Sequence, residues 1–287
     1  MKETTLIDTY EEKRKRISDF NLVSDLFAGK VFEDVESCQE LCRILLKNDN
    51  IVIKKVRTQY MIRNLENHSV SLDILAEDLD GNLINTEIQM YEEPAPLKRS
   101  RYYISSIDMS ILEKGVPYNK LPDVTMIYIT KEDFIGNKQG SYSICRMSDE
   151  HNTTIGMDNG LHEKYYNLEY PTDDIVINEL LQYFENSDPF YHTENFPRIV
   201  ERVHYFKIQN EGVDIMCEIA DRIRKEGRIA GRIESKIEDI LELLGDLGKV
   251  PQKILECINQ ETDLDILSKW LKYAAKATSI AEFESNM

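Results

Sequence analysis

The chain lacks most of what a membrane, secreted or zinc-binding protein needs. Across its 287 residues the apolar runs last only a few positions, whereas a membrane-spanning helix needs about 20. The opening segment MKETTLIDTYEEKRKR holds no apolar stretch, so no secretory signal is expected. There are five cysteines, an odd number in no metal-like spacing, which argues against a disulfide framework. Cys38 and Cys42 stand four apart in a helical pattern and read as core. Five scattered histidines form neither HxH nor HExxH, which leaves a zinc-enzyme reading without support. Glycine and proline together make up 20 residues, too few for a collagenous or low-complexity chain. What is there is 41% hydrophobic, enough to build a core. A reduced, cytoplasmic protein without membrane or small-molecule cofactor is the expectation.

Charge is plentiful but one-sided. The net value is −17, which taken whole argues against a nucleic-acid surface. Its distribution says otherwise. Between Arg43 and Asn64 there are six basic residues (Arg43, Lys47, Lys54, Lys55, Arg57, Arg63) and one acid, Asp49. Lys98, Arg99 and Arg101 form a second basic cluster. From Asp149 to Asn195 there are eleven acids against Lys164 alone. The acid therefore belongs to the middle and the tail, and the first hundred residues can still present a basic groove.

Periodicity outlines the elements. Helical spacing appears over 20–28 and 36–47, with Ser37 or Asp34 as the cap of the second. IVIKKVRTQYMI alternates and is β-branched, the pattern of a strand. SVSLDILAED and NLINTEIQMY flank Asp80-Gly81, a hairpin signal. Pro94 and Pro96 break the chain and open a helix, with Pro96 near its first position and Gly115 at its end. DVTMIYIT reads as a buried strand, which a right-handed crossover places beside the hairpin. Weaker strands follow near SYSICRM and KYYNLEY, then a helix capped by Asp173 or Asp174. The expected class is α/β, a mixed sheet flanked by helices over residues 1–190, followed by a helical C-terminal region over 191–287.

That tail carries its own repeat. Ile219, Glu226, Ile233 and Ile240 are seven apart, as are Ile223, Ala230, Ile237 and Leu244. This is an a/d seam interrupted by Glu226. Gly227 and Gly231 weaken it by about 1 kcal/mol each relative to Ala. Two burials are open to the stripe: a second copy of the chain, or neighbouring helices of its own. Asp263 is a candidate cap for a short helix beyond it.

The hairpin holds the chemistry. If its loop is Leu79-Asp80-Gly81 with Gly81 left-handed, Asp78 pairs with Asn82 and Asp73 faces Glu87. A two-residue Asp80-Gly81 turn would split the two acids between faces. Strict alternation puts Leu72, Ile74 and Ala76 on one face and Asp73 on the other. Facing carboxylates repel and need a proton, a basic partner or a metal. A hard cation such as Mg²⁺ takes one or two carboxylates and keeps several waters.

These residues resemble a known family. LDILAEDLDGNLINTEIQ matches the D…ExQ core of the PD-(D/E)XK phosphodiesterase superfamily, specifically the Rpn group of recombination-promoting nucleases, which also carries a transposase label. The flanks DLFAGKVFEDVESCQELCRIL, LKRSRYYISSIDMSILEKGVPYNKLPDVTMIYIT and EDFIGNKQGSYSI match as well, as do KEGRIAGR and DLDILSKWLKYAAKATSIAEF in the tail. The resemblance implies a restriction-endonuclease-like core and a DNA endonuclease dependent on Mg²⁺ or Mn²⁺, in a recombination, mobile-element or phage-defence setting.

It also implies roles. Asp73 and Glu87 become metal ligands, with the main-chain carbonyl of Ile88 as a third and Glu36 as the best match for a further acid. Gln89 stands where most of the superfamily has a catalytic Lys. Arg99 becomes a phosphate contact, with Lys54, Lys55, Arg57, Lys98 and Arg101 around it for DNA, while Tyr103 reads as packing. Ser71 departs from the Arg common before the Leu-Asp pair. The expected assembly is a homodimer. The alternative is a catalytically weak nucleic-acid-binding or interaction protein on the same fold, working through its helical tail.

Overall fold

The computed structural model describes residues 9–63, 68–90, 96–150 and 153–287. Its residues divide into two compact units, Met1–Asp214 and Ile215–Met287. In the first, α1 (Tyr10–Ile17), α2 (Asp25–Phe32) and α3 (Val35–Leu46) precede β1 (Ile53–Ile62), β2 (Val70–Asp78) and β3 (Leu83–Gln89). Then come α4 (Pro96–Ile111), β4 (Val124–Thr130), β5 (Ser141–Ile144), the ribbon β6 (Met147–Glu150) and β7 (Thr153–Gly156), and β8 (Leu161–Asn167). The helices α5 (Ile175–Asn186), α6 (Pro197–Ile208) and α7 (Asn210–Leu247) follow, and α7 runs on into the second unit.

The main sheet has six strands in the order β1-β2-β3-β4-β8-β5. β1, β2 and β3 are antiparallel neighbours, β4 joins β3 in parallel, and β8 joins β4 in parallel. The fold is therefore the mixed α/β sheet expected from the order helix, strand, hairpin, helix, buried strand. Caps explain the helix starts. Asp34 accepts from the Ser37 amide, and Asp174 accepts from Val176 and Ile177, satisfying donors that no helical carbonyl can reach. α4 begins at Pro96, whose missing N–H costs nothing there. It ends at Ile111, before the expected Gly115, which instead takes φ 89° in the turn beyond. Pro94 lies outside the described residues. α1 and the β6–β7 ribbon carry no strong periodicity that would mark them in the sequence. Cys38 and Cys42 are buried on α3.

One core of this unit lies between the sheet and α4. Val70, Leu72, Leu75, Leu83, Met126, Tyr128 and Tyr165 meet Tyr103, Ile104 and Ile107 of α4 there. Strict alternation fails on β2: Leu72 packs with Leu75 in this cluster, and Ile74 and Ala76 do not belong to it. The switch coincides with Gln59 on β1, whose φ of 50° is left-handed. The pairs on either side, Thr58 with Ile74 and Tyr60 with Leu72, keep one register. Both strands thus turn over together at Gln59 and Asp73. α6, placed by its sequence in the tail, packs in this unit: the backbone amides of Arg198 and Ile199 donate to Glu40 of α3 at 3.1 and 3.0 Å.

In the second unit, α8 (Gln252–Gln260), α9 (Leu264–Ala274) and α10 (Ile280–Asn286) close over the end of α7. Ile240 and Leu244 of the heptad seam are buried with Ile254, Ile258, Leu267, Trp270 and Phe283. Asp263 caps α9. Among the described residues, no helix is long and apolar enough to cross a membrane.

Candidate active site

The hairpin loop decides which acids meet. Gly81 has φ 87°, its amide donates to Asp78 O at 3.2 Å, and the Asp78 amide donates to Asn82 O at 3.0 Å. The loop is therefore three residues, Leu79 to Gly81. The ladder runs from Glu77–Leu83 to Ile74–Thr86, and the next step sets Asp73 against Glu87. At that step side chains replace backbone partners. The Asp73 amide donates to Glu87 Oε1 at 3.3 Å, and the Ile88 amide donates to Asp73 Oδ2 at 2.9 Å.

Both acids are out of water: Asp73 is 7% exposed and Glu87 fully buried. Burial disfavours the charged form of a carboxyl. It lifts Asp73 from 3.8 to about 6, against the pull of the Ile88 amide; the charge of Asp25 adds to the rise, and Arg99 and Gln59 oppose it. Glu87 is raised well above its ordinary value, first by burial and then by the charge of Asp73. Asn85 Nδ2 donates to Glu87 Oε1 at 2.8 Å. Among the described residues, Glu87 Oε2 has no hydrogen-bond partner, and neither has the buried Tyr128 hydroxyl on the adjacent strand.

α4 brings cationic charge to this pair. Arg99 is half-buried, its Nε donates to Tyr103 Oη at 3.1 Å, and its charge acts on both acids. Tyr103 does pack in the core, but its hydroxyl also feels Glu87: burial and then that charge push its pKa upward. Packing alone understated it. Their spacing of four on a helix puts Arg99 and Tyr103 on one face, but only the packing of α4 on the sheet brings that face to the acids.

The other expected residues separate into groups. Gln89 ends β3, half-buried, with its carbonyl accepting from Lys131. Lys98 and Arg101 are exposed on α4. Lys54 pairs with Glu77 at 2.9 Å. Lys55 and Arg57 line a cleft of about 350 Å³ with Tyr60, Leu75 and Ile107, where Arg57 lies 4.8 Å over the Tyr60 ring. They stand on an edge strand, where charge also blocks unwanted strand pairing. Glu36 is not at the site: its side chain is 65% exposed and pairs with Arg198 at 3.1 Å. It occupies the first turn of α3, on the solvent side. The helical acid whose charge reaches Asp73 is Asp25, at the start of α2. Spacing could not reveal it, because the contact depends on how α2 crosses the sheet.

Two buried carboxylates, one with an oxygen that has no hydrogen-bond partner among the described residues, suit a hard divalent cation that keeps part of its water shell. Among the described residues no group of three or more His, Cys, Asp and Glu side chains is gathered for a metal.

Residues 36–171 match the family model described as PD-(D/E)XK nuclease family transposase. That span contains the sheet, α4, Asp73, Glu87 and Gln89. Neither the curated proteins nor the solved structures contain a match. The match covers just under half of the chain and supports assigning residues 36–171 to that family.

Proposed function

We propose that the protein is a DNA endonuclease that hydrolyses phosphodiester bonds with Mg²⁺ or Mn²⁺. The supporting observation is the buried Asp73–Glu87 pair, held by the Ile88 amide and leaving Glu87 Oε2 without a partner. Such a pair is unfavourable unless a proton or a cation joins it.

In this reading Asp73, Glu87 and the Ile88 carbonyl hold the cation. When bound, it supplies positive charge to the phosphate and lowers the pKa of an attacking water. Gln89 orients that water through its amide but brings no charge of its own. Arg99 contacts a phosphate oxygen from α4, where its guanidinium provides charge that Gln89 lacks. Lys54, Lys55, Arg57, Lys98 and Arg101 track the DNA backbone, so binding weakens as salt rises. Two chains act together, joined through the exposed middle of α7, to cut both strands of a duplex.

The test is nicking of supercoiled plasmid by the full chain with Mg²⁺, with Mn²⁺ and with chelator, beside Asp73→Ala and Glu87→Ala. Cation-dependent nicking lost in both variants supports the proposal. A folded variant with undiminished nicking sinks it.

A further inference from the structure

Gln59 occupies a conformation that its place in the chain does not favour. It sits inside β1, in a β-branched, alternating segment, yet its φ is 50°. Left-handed backbone is uncommon outside glycine, asparagine and aspartate, and such outliers persist where the surroundings require them. The register is the same on both sides of it, so the residue turns β1 over without changing its partners on β2.

The side chain makes contacts from this position. Gln59 lies across α2 at Gly29, where an added Cβ would stand 3.7 Å from Gln59 Cγ. Its Nε2 reaches Asp73 Oδ1 and the Asp25 carbonyl, each at 3.5 Å. Oδ2 of the same carboxylate is held by the Ile88 amide. One oxygen of Asp73 is thus tied to β3 and the other is approached from β1. An ordinary extended residue at 59 would continue the alternation of β1 and lose this aim.

We infer that Gln59 is a positioning residue: its left-handed backbone is retained because it directs the amide onto Asp73 and fixes the carboxylate for a divalent cation. The inference rests on the metal-dependent reading above. Partners that orient a ligand from behind commonly cost 10–100-fold in metal affinity when removed.

Glycine and alanine separate the two parts of the argument. Gln59→Gly removes the amide and relieves the backbone; Gln59→Ala removes the amide and keeps the strain. The probe is Mn²⁺ alone, titrated calorimetrically into the full chain, with melting of the metal-free protein measured alongside. Expected for Gln59→Gly are Mn²⁺ binding weaker by roughly tenfold and a raised Tm. Expected for Gln59→Ala are the same loss of affinity and a Tm at or below that of the parent. Gln59→Gly that binds Mn²⁺ like the parent overturns the inference, and so does a Gln59→Gly that loses both affinity and Tm, because the residue is then only structural. Glu87→Gln is the control for the underlying reading. If it binds Mn²⁺ as well as the parent does, the metal site itself is wrong and the role of Gln59 falls with it. If it fails to bind while Gln59→Gly binds fully, only the Gln59 inference is lost.

Discussion

The Asp73 amide donates to Glu87 Oε1, so at this step of the hairpin a side chain stands where a backbone carbonyl would. The two carboxylates are thereby brought together at the end of the β2–β3 ladder, away from water. Arrangements of this kind cost stability until something neutralises them.

The first prediction follows from that cost. Glu87→Gln keeps shape and the donor from Asn85 while removing a buried charge. In chelator at pH 8 its Tm should equal or exceed that of the parent. Nicking should fall by about a hundredfold or more if Glu87 holds the cation. Differential scanning calorimetry and the plasmid assay check the two halves. A clear loss of Tm would show that Glu87 is a structural residue.

Protonation gives a second test. Asp73 is raised from 3.8 to about 6, so the folded protein holds this proton more tightly than the unfolded chain. Its contribution to stability is complete below pH 3.8 and is lost as pH rises through about 6. Other carboxylates, such as Asp174 and Asp214, are lowered and act in the opposite sense. The comparison is therefore with Asp73→Asn: the Tm of the variant minus that of the parent should grow between pH 4 and pH 7 in chelator. Mn²⁺ affinity of the parent should rise over the same window as the proton leaves. A flat difference curve contradicts the assigned environment.

Arg99 should act through charge. Arg99→Ala removes a cation that lowers both acids, so the acidic limb of the nicking profile should move to higher pH. Arg99→Lys keeps the charge and should move it less. Lys98→Ala and Arg101→Ala, both exposed, should weaken DNA binding in a salt-dependent way and leave the limb in place. Nicking rates measured from pH 5 to 9 separate these outcomes.

The assembly is tested by truncation. The first unit ends at Asp214, which accepts from Tyr10 Oη at 2.9 Å and pairs with Lys13 at 2.6 Å. A chain ending there keeps those ties to α1. It should stay folded, bind Mn²⁺ like the full chain and run as a monomer in light scattering, while the full chain runs as a dimer. A monomeric full chain at micromolar concentration rules the dimer out. A truncated chain that is still dimeric places the interface in the nuclease unit.

Much of the site was legible because it rests on local chemistry. Asp80-Gly81 announces a turn, and once the Asp78–Asn82 hydrogen bond sets a three-residue loop the partner of Asp73 follows by counting. Caps at Asp34, Asp174 and Asp263 are likewise short-range hydrogen bonds. Glu36 misled because its position along the chain suited a ligand while its face of α3 turned outward to Arg198. Asp25 was invisible for the complementary reason: its relation to Asp73 spans the packing of α2 on the sheet.

The sequence by itself marked the strands of the main sheet, the cap candidates and a turn at Asp80-Gly81, since each depends on residues close together or on the period of a strand; the three-residue loop, and with it the pairing of Asp73 with Glu87, was set by the fold. Tertiary structure alone decided that both acids are dry, that β1 and β2 turn over at Gln59, that Arg99 and Tyr103 reach the pair, and that Ile240 and Leu244 are covered by α8 to α10. Burial, charge proximity and a left-handed residue inside a strand arise from segments far apart in the chain, and no local pattern encodes them.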